Sequence, residues 1–156
     1  MPIIGIENVP GKMFEAMEEA GHGRGLVIVD YSYDIDRTAG NVVVDYRGRS
    51  SAQALGSVLR LVRREGPITI MAPDPGDDSA LARMAEVAFM GVATQLNIAH
   101  EVVSVPRLGE AAGGVGFYDL VDDERRKVIV RTPDPLPYAC AMFVIGHYQF
   151  GPQTAA

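Results

Sequence analysis

The sequence predicts a single α/β domain, with α+β as the variant reading, built on a mixed sheet of about six strands with three or four packed helices. Three observations lead there. β-branched runs alternate with helix-periodic stretches through the first two thirds of the chain. The later runs follow one another more closely, which adds strands to the sheet without a helix for each. A chain of 156 residues, 47% hydrophobic and 22% charged, supports one core of ordinary size that needs neither disulfide nor metal. Residues 1–150 are assigned to this domain and 151–156 to a flexible C-terminal tail.

The elements follow from local pattern. Residues 2–6 read as a short first strand, and Asn8 and Pro10 suit a helix start. Met13, Met17, Ala20 and Gly21 then share one face of a short amphipathic helix, which ends in a glycine-rich run through Gly25. Residues 26–31 form a nearly continuous apolar strand, the kind covered on both faces. A polar, turn-rich stretch over 32–40 leads to a β-branched strand over 41–46.

Ser50 or Ser51 caps the clearest helix, with Leu55, Val58, Leu59 and Val62 on one face. Arg60, Arg63 and Arg64 complement its negative end, and Gly66-Pro67 stops it. A strand over 68–72 runs into the turn Pro73-Asp74-Pro75-Gly76, and Asp77 or Asp78 caps a helix over 78–97. Between Met84 and Val92 only Glu86 is charged, so that helix is apolar all round. A domain this small has too little interior to surround it, so the pattern predicts a homo-oligomer in which another subunit covers its second side. An exposed ligand groove is the alternative.

Strands over 101–105, 116–121 and 127–132 follow, the last two joined by a charged hairpin turn. Residues 137–146 carry both signals. Asp134-Pro135 looks like a cap and first-turn proline, whereas Val144 and Ile145 favour a strand; helix is the reading adopted. Residues 68–75 and 128–135 resemble one another, each a strand ending in Pro-Asp-Pro, which is read as coincidence rather than a repeat.

Composition excludes several function classes. With 14 basic against 20 acidic residues, the formal charge of −6 repels nucleic-acid backbones and anionic membrane alike. The lone Cys140 forms no internal disulfide, the N-terminus lacks a signal-peptide pattern, and no apolar run is long enough to span a bilayer. A cytoplasmic location is expected.

The functional expectation rests on polar residues at strand ends. Arg47, Arg49, Ser50 and Ser51 lie where a strand gives way to a helix, whose free N–H groups and positive dipole end suit a phosphate or carboxylate. Asp74, Asp77 and Asp78 open the next helix. They would supply a general base or hold Mg²⁺, the one cofactor contemplated, although capping and turn formation use the same residues. Asp30 closes an apolar strand and would pair with Arg47 or Arg49 if strands 26–31 and 41–46 are neighbours.

His147 is the expected acid. No His or Cys pair has zinc spacing, so no metal-ligand set is assigned, and Cys140 among apolar neighbours reads as inert. The glycine-rich run over 109–116 suits a lid. These residues together predict an enzyme acting on a small anionic metabolite, with Asp30 or Asp74 as base. A non-catalytic oligomeric ligand-binding or regulatory protein is the alternative, and an interaction protein working through helix 78–97 is the third reading.

Overall fold

In a computed structural model, the chain is described over residues 24–31, 42–46, 48, 50–104, 117 and 127–146. Six strands form one sheet: β1 (Gly25–Val29), β2 (Val42–Asp45), β3 (Arg64–Ala72), β4 (His100–Ser104), β5 (Lys127–Arg131) and β6 (Ala141–Ile145). Helix α1 (Ser51–Leu61) lies between β2 and β3. Helix α2 (Met84–Gln95) lies between β3 and β4 and is entered through a 3₁₀ turn, Ala80–Arg83.

The strand order is β2-β5-β1-β6-β3-β4. β5 runs parallel to both β2 and β1, and β3 runs parallel to β4. β6 is antiparallel to β1 on one side and to β3 on the other. Five strands therefore end on the same edge of the sheet, and β6 begins there.

The core follows the two-residue period of a strand. Leu26, Ile28, Val128 and Val130 face α1 and α2, meeting Leu55 and Val58 from the first helix and Phe89 from the second. Val27, Val29, Ile129 and Met142 face the opposite side, where Phe117 joins them. All four apolar side chains of β1 are completely buried, as a strand covered on both faces requires. Each such side chain contributes ~1.5–3 kcal/mol relative to exposure, as an upper estimate.

Several sequence expectations need correction. Two α-helices stand among the described residues where three or four were expected, and the helix expected before Gly21 lies outside them. Residues 141–145 are strand, not helix: Asp134 and Pro135 lie in the connection entering β6, and the apolar run pairs between two strands. Helix α1 ends at Leu61, before Gly66-Pro67, because Val62 is already extended (φ −126°). Gly66 instead takes a left-handed φ of 76° where the β3–β6 register shifts between Glu65 and Thr69.

Neither Asp77 nor Asp78 caps α2; its N-cap is Arg83, the last residue of the 3₁₀ turn. At its other end α2 stops at Gln95, close to the expected Asn97. Asn97 adopts a left-handed φ of 55°, and Ile98 N–H bonds Ala93 O at 2.8 Å, a Schellman closure.

Candidate functional site

The five parallel strands deliver their last residues to one edge, where ligands collect in open α/β sheets. Asp30 follows β1, Tyr46 follows β2, Pro73 and Asp74 follow β3, and Thr132 and Asp134 follow β5. The connection into β6 brings Tyr138, Ala139 and Cys140 to the same edge.

The inner part of this edge is closed by its own hydrogen bonds. Asp134 is buried and accepts the Ser51 N–H on Oδ2 at 2.8 Å and the Leu136 N–H on Oδ1 at 2.9 Å. Ser51 Oγ and Thr132 Oγ1 lie 2.8 Å apart, and Thr132 Oγ1 donates to Val29 O at 2.8 Å. Ser50 accepts the Gln53 N–H at 3.1 Å and so caps α1. Two of the donors expected to hold an external anion, Ser50 and Ser51, thus serve the chain itself: Ser51 is fully buried, with Asp134 seated at the helix N-terminus.

Asp30 is buried beside this network. Ala139 N–H donates to its Oδ2 at 3.3 Å, and Cys140 Sγ lies 3.8 Å from the same oxygen. Burial, reinforced by the Asp30 charge, pushes the Cys140 thiol well above its ordinary pKa and keeps it protonated. β5 lies between β1 and β2, so the neighbouring strands on which an Asp30–arginine pair depended are not neighbours. Arg47, Arg49 and His147 lie outside the described residues, as does the glycine-rich run over 109–116.

Tyr46 packs its ring against Gly48, where a Cβ would collide with it. Its hydroxyl is buried and closes no hydrogen bond of good geometry among the described residues, although Ser57 stands close. Burial raises this phenol's pKa, and Ser57 offsets part of the rise.

The outer part of the edge is open. Asp74, Gly76, Asp77, Asp78 and Tyr138 line a shallow depression. Asp74 Oδ1 accepts the Gly76 N–H at 2.8 Å, a local turn. Asp77 Oδ1 accepts the Ser79 N–H at 3.1 Å, and its Oδ2 accepts the Tyr138 hydroxyl at 2.8 Å. Hydrogen bonds from Ser79, then from Tyr138, hold Asp77 below the usual carboxylate range. Burial, then Asp77, pushes the Tyr138 phenol upward. Among the described residues, no three His, Cys, Asp or Glu side chains are placed to hold a metal ion.

A separate cleft of about 240 Å³ lies between the helices, lined by residues including Gln53, Ser57, Arg60 and Gln95. Among the described residues, its lining includes none of the catalytic or ligand-binding residues expected from the sequence.

No protein-family model and no curated protein sequence matches the chain. Solved structures do. The FucU protein of Bifidobacterium longum superposes with a TM-score of 0.70 at 21% identity, over 93% of this chain and 99% of its own. The fold is shared. The fucose mutarotase of Streptococcus pneumoniae, solved with L-fucose, gives 0.63 at 21% identity over 92% and 96% of the two chains. RbsD of Bacillus subtilis, solved with D-ribose, gives 0.59 at 14% identity over 90% and 95%. The latter two carry uncharged sugars, whereas the sequence pointed to an anionic ligand.

Sequence reasoning singled out Asp30 and Asp74 but missed Thr132, Tyr138 and the destination of Asp134. It read Asp134 as a helix cap, and it does serve a helix N-terminus, but that of α1, 83 residues earlier in the chain. Strand order decides that pairing, and local pattern does not contain strand order. Among the described residues no helix is long and apolar enough to cross a membrane.

Proposed function

We propose that this chain binds a neutral monosaccharide at the carboxyl edge of its sheet and interconverts the sugar's ring forms at the anomeric carbon. The observation that carries the reading is the division of that edge. The donor-rich helix terminus is filled by Asp134, while the open depression presents carboxylates and a phenol. Three carboxylates repel a phosphate, whereas sugar hydroxyls donate to them and a tyrosine ring covers a sugar face. The fold shared with proteins that hold L-fucose and D-ribose supports the same ligand class.

The chemistry balances without a cofactor. A base takes the proton of the anomeric hydroxyl, the bond from C1 to the ring oxygen breaks, and an acid protonates that oxygen to give the open-chain aldehyde. Closure on the other face reverses both transfers. Asp30, at the end of β1 next to the loop that carries Tyr138, is the proposed base, and His147 is the acid the sequence offers.

Saturation-transfer NMR on L-fucose and D-ribose measures anomer exchange directly. The wild-type chain is expected to accelerate it, and Asp30→Asn to lose on the order of 10²–10⁴-fold. Sugar bound without exchange would make the chain a non-catalytic sugar-binding protein. No binding by any aldopentose or aldohexose would overturn the reading.

The working assembly in this proposal is a homo-oligomer covering the outer face of α2 and of the 3₁₀ turn before it. Leu81, Met84 and Val87 expose 54%, 50% and 64% of their surface there. Light scattering is expected to give a mass above one chain, and Val87→Glu to reduce it. A wild-type monomer at every concentration contradicts this part.

A further inference from the structure

We propose that Asp77 is a positioning residue for Tyr138, holding its phenol at the depression with the proton turned away, so that Tyr138 meets a ligand as an acceptor. The inference rests on the depression being the sugar site and adds to it a residue role and a selectivity.

Tyr138 is held in an unfavourable backbone state. Its φ of 60° is left-handed, a region that an aromatic residue rarely occupies unless its surroundings impose it. One visible restraint is at the far end of the side chain, where the hydroxyl donates to Asp77 Oδ2 at 2.8 Å. Asp77 comes from a different loop, between β3 and α2, and is itself fixed. Its N–H bonds Asp74 O at 2.8 Å, and its other oxygen takes the Ser79 N–H at 3.1 Å. The bond therefore fastens the loop entering β6 to the loop leaving β3, with the depression between them.

The direction of the bond is settled by charge. Asp77 is ionised at neutral pH and has no proton to give, so the phenol is the donor. The same phenol stays protonated, since burial, Asp77 and the charge of Asp74 all oppose its ionisation. With its proton committed to Asp77, the phenol oxygen has only lone pairs left to offer. Asp74 and Asp78 on the same rim are acceptors too. A sugar carbon that faces Tyr138 must then carry a hydroxyl, and the corresponding deoxy sugar leaves that acceptor unmatched.

The test pairs a titration with a binding cycle on the full chain. The Tyr138 phenol is titrated by ultraviolet difference, each protein against its own Tyr138→Phe counterpart. Asp77→Ala is expected to move that titration to lower pH, and an unchanged titration overturns the pairing. In sugar titrations, Asp77→Ala is expected to weaken Kd about tenfold and Asp77→Asn to restore it to within about threefold, because the amide oxygen still accepts. In a Tyr138→Phe background, Asp77→Ala is expected to add less than about twofold. Full, independent losses from the two substitutions would overturn the positioning role. Asp77→Ser serves if Asp77→Ala does not fold. A wild-type chain that binds no sugar, with the phenol shift intact, sinks the sugar reading and leaves the pairing standing.

Discussion

Two Pro-Asp-Pro turns, Pro73-Asp74-Pro75 and Pro133-Asp134-Pro135, leave parallel strands on the same edge of the sheet and do different work. Each aspartate uses one oxygen in the same local way, accepting the N–H two residues on, at 2.8 Å from Gly76 and 2.9 Å from Leu136. Their surroundings then separate them. β5 and β3 are both inner strands, but the turn after β5 lies against the α1 N-terminus, so Asp134 is buried and its second oxygen accepts the Ser51 N–H. The turn after β3 lies on the rim of the depression, beside Asp77 and Tyr138. One tripeptide thus closes the inner edge and the other helps to keep the outer edge open and acidic. The difference comes from what each turn packs against, not from the residues of the tripeptide.

Breaking the inner turn is expected to have the largest effect on stability. Asp134→Ala strands the buried Ser51 N–H and removes two charge-assisted hydrogen bonds, a loss of ~2–4 kcal/mol. Asp74→Ala removes one exposed turn bond and is expected to cost under ~1 kcal/mol. Chemical denaturation of both variants measures the contrast, and equal losses would erase the distinction between the two turns.

A smaller effect sharpens the picture of the closed region. The Cys140 thiol is raised in the folded chain by burial first and by Asp30 second, from an ordinary value of 9.0. Above about that pH the unfolded chain gives up the thiol proton while the folded chain keeps it. The stabilisation associated with Cys140 is therefore full below the unfolded value and lost as pH rises through and beyond it. Cys140→Ala is expected to flatten the decline of stability on the alkaline side. An identical alkaline slope in the two proteins would place the thiol in a solvated setting instead.

Much of the fold was legible because it is written in short-range pattern. The β-branched run Val27 to Val29 points to a strand, and the period of Leu55, Val58 and Leu59 to a helix, without reference to the rest of the chain. The misreading of 141–145 has a physical origin. A short apolar run is compatible with either state, and insertion between β1 and β3 decides it. The candidate site was legible only in part for the same reason. Asp30 and the acidic turn after β3 stand out locally, but the pairing of Asp134 with Ser51 and of Tyr138 with Asp77 spans 83 and 61 residues. The expectation of an anion at the α1 N-terminus meets Asp134 at this point. A helix N-terminus looks open in sequence until the strand order shows which carboxylate already sits there.

The most direct measurement is a paired thermal-shift titration with a free monosaccharide and its phosphate ester, using L-fucose with fucose 1-phosphate and D-ribose with ribose 5-phosphate. The account predicts stabilisation by at least one free sugar, of about 2.7 kcal/mol at a hundred times its Kd, or roughly 5–10 °C for a domain of this size. Its phosphate should give a much smaller shift at equal concentration, because Asp134 occupies the helix terminus and the rim is acidic. Preferential stabilisation by the phosphates would contradict the account and restore the anion site that the sequence suggested.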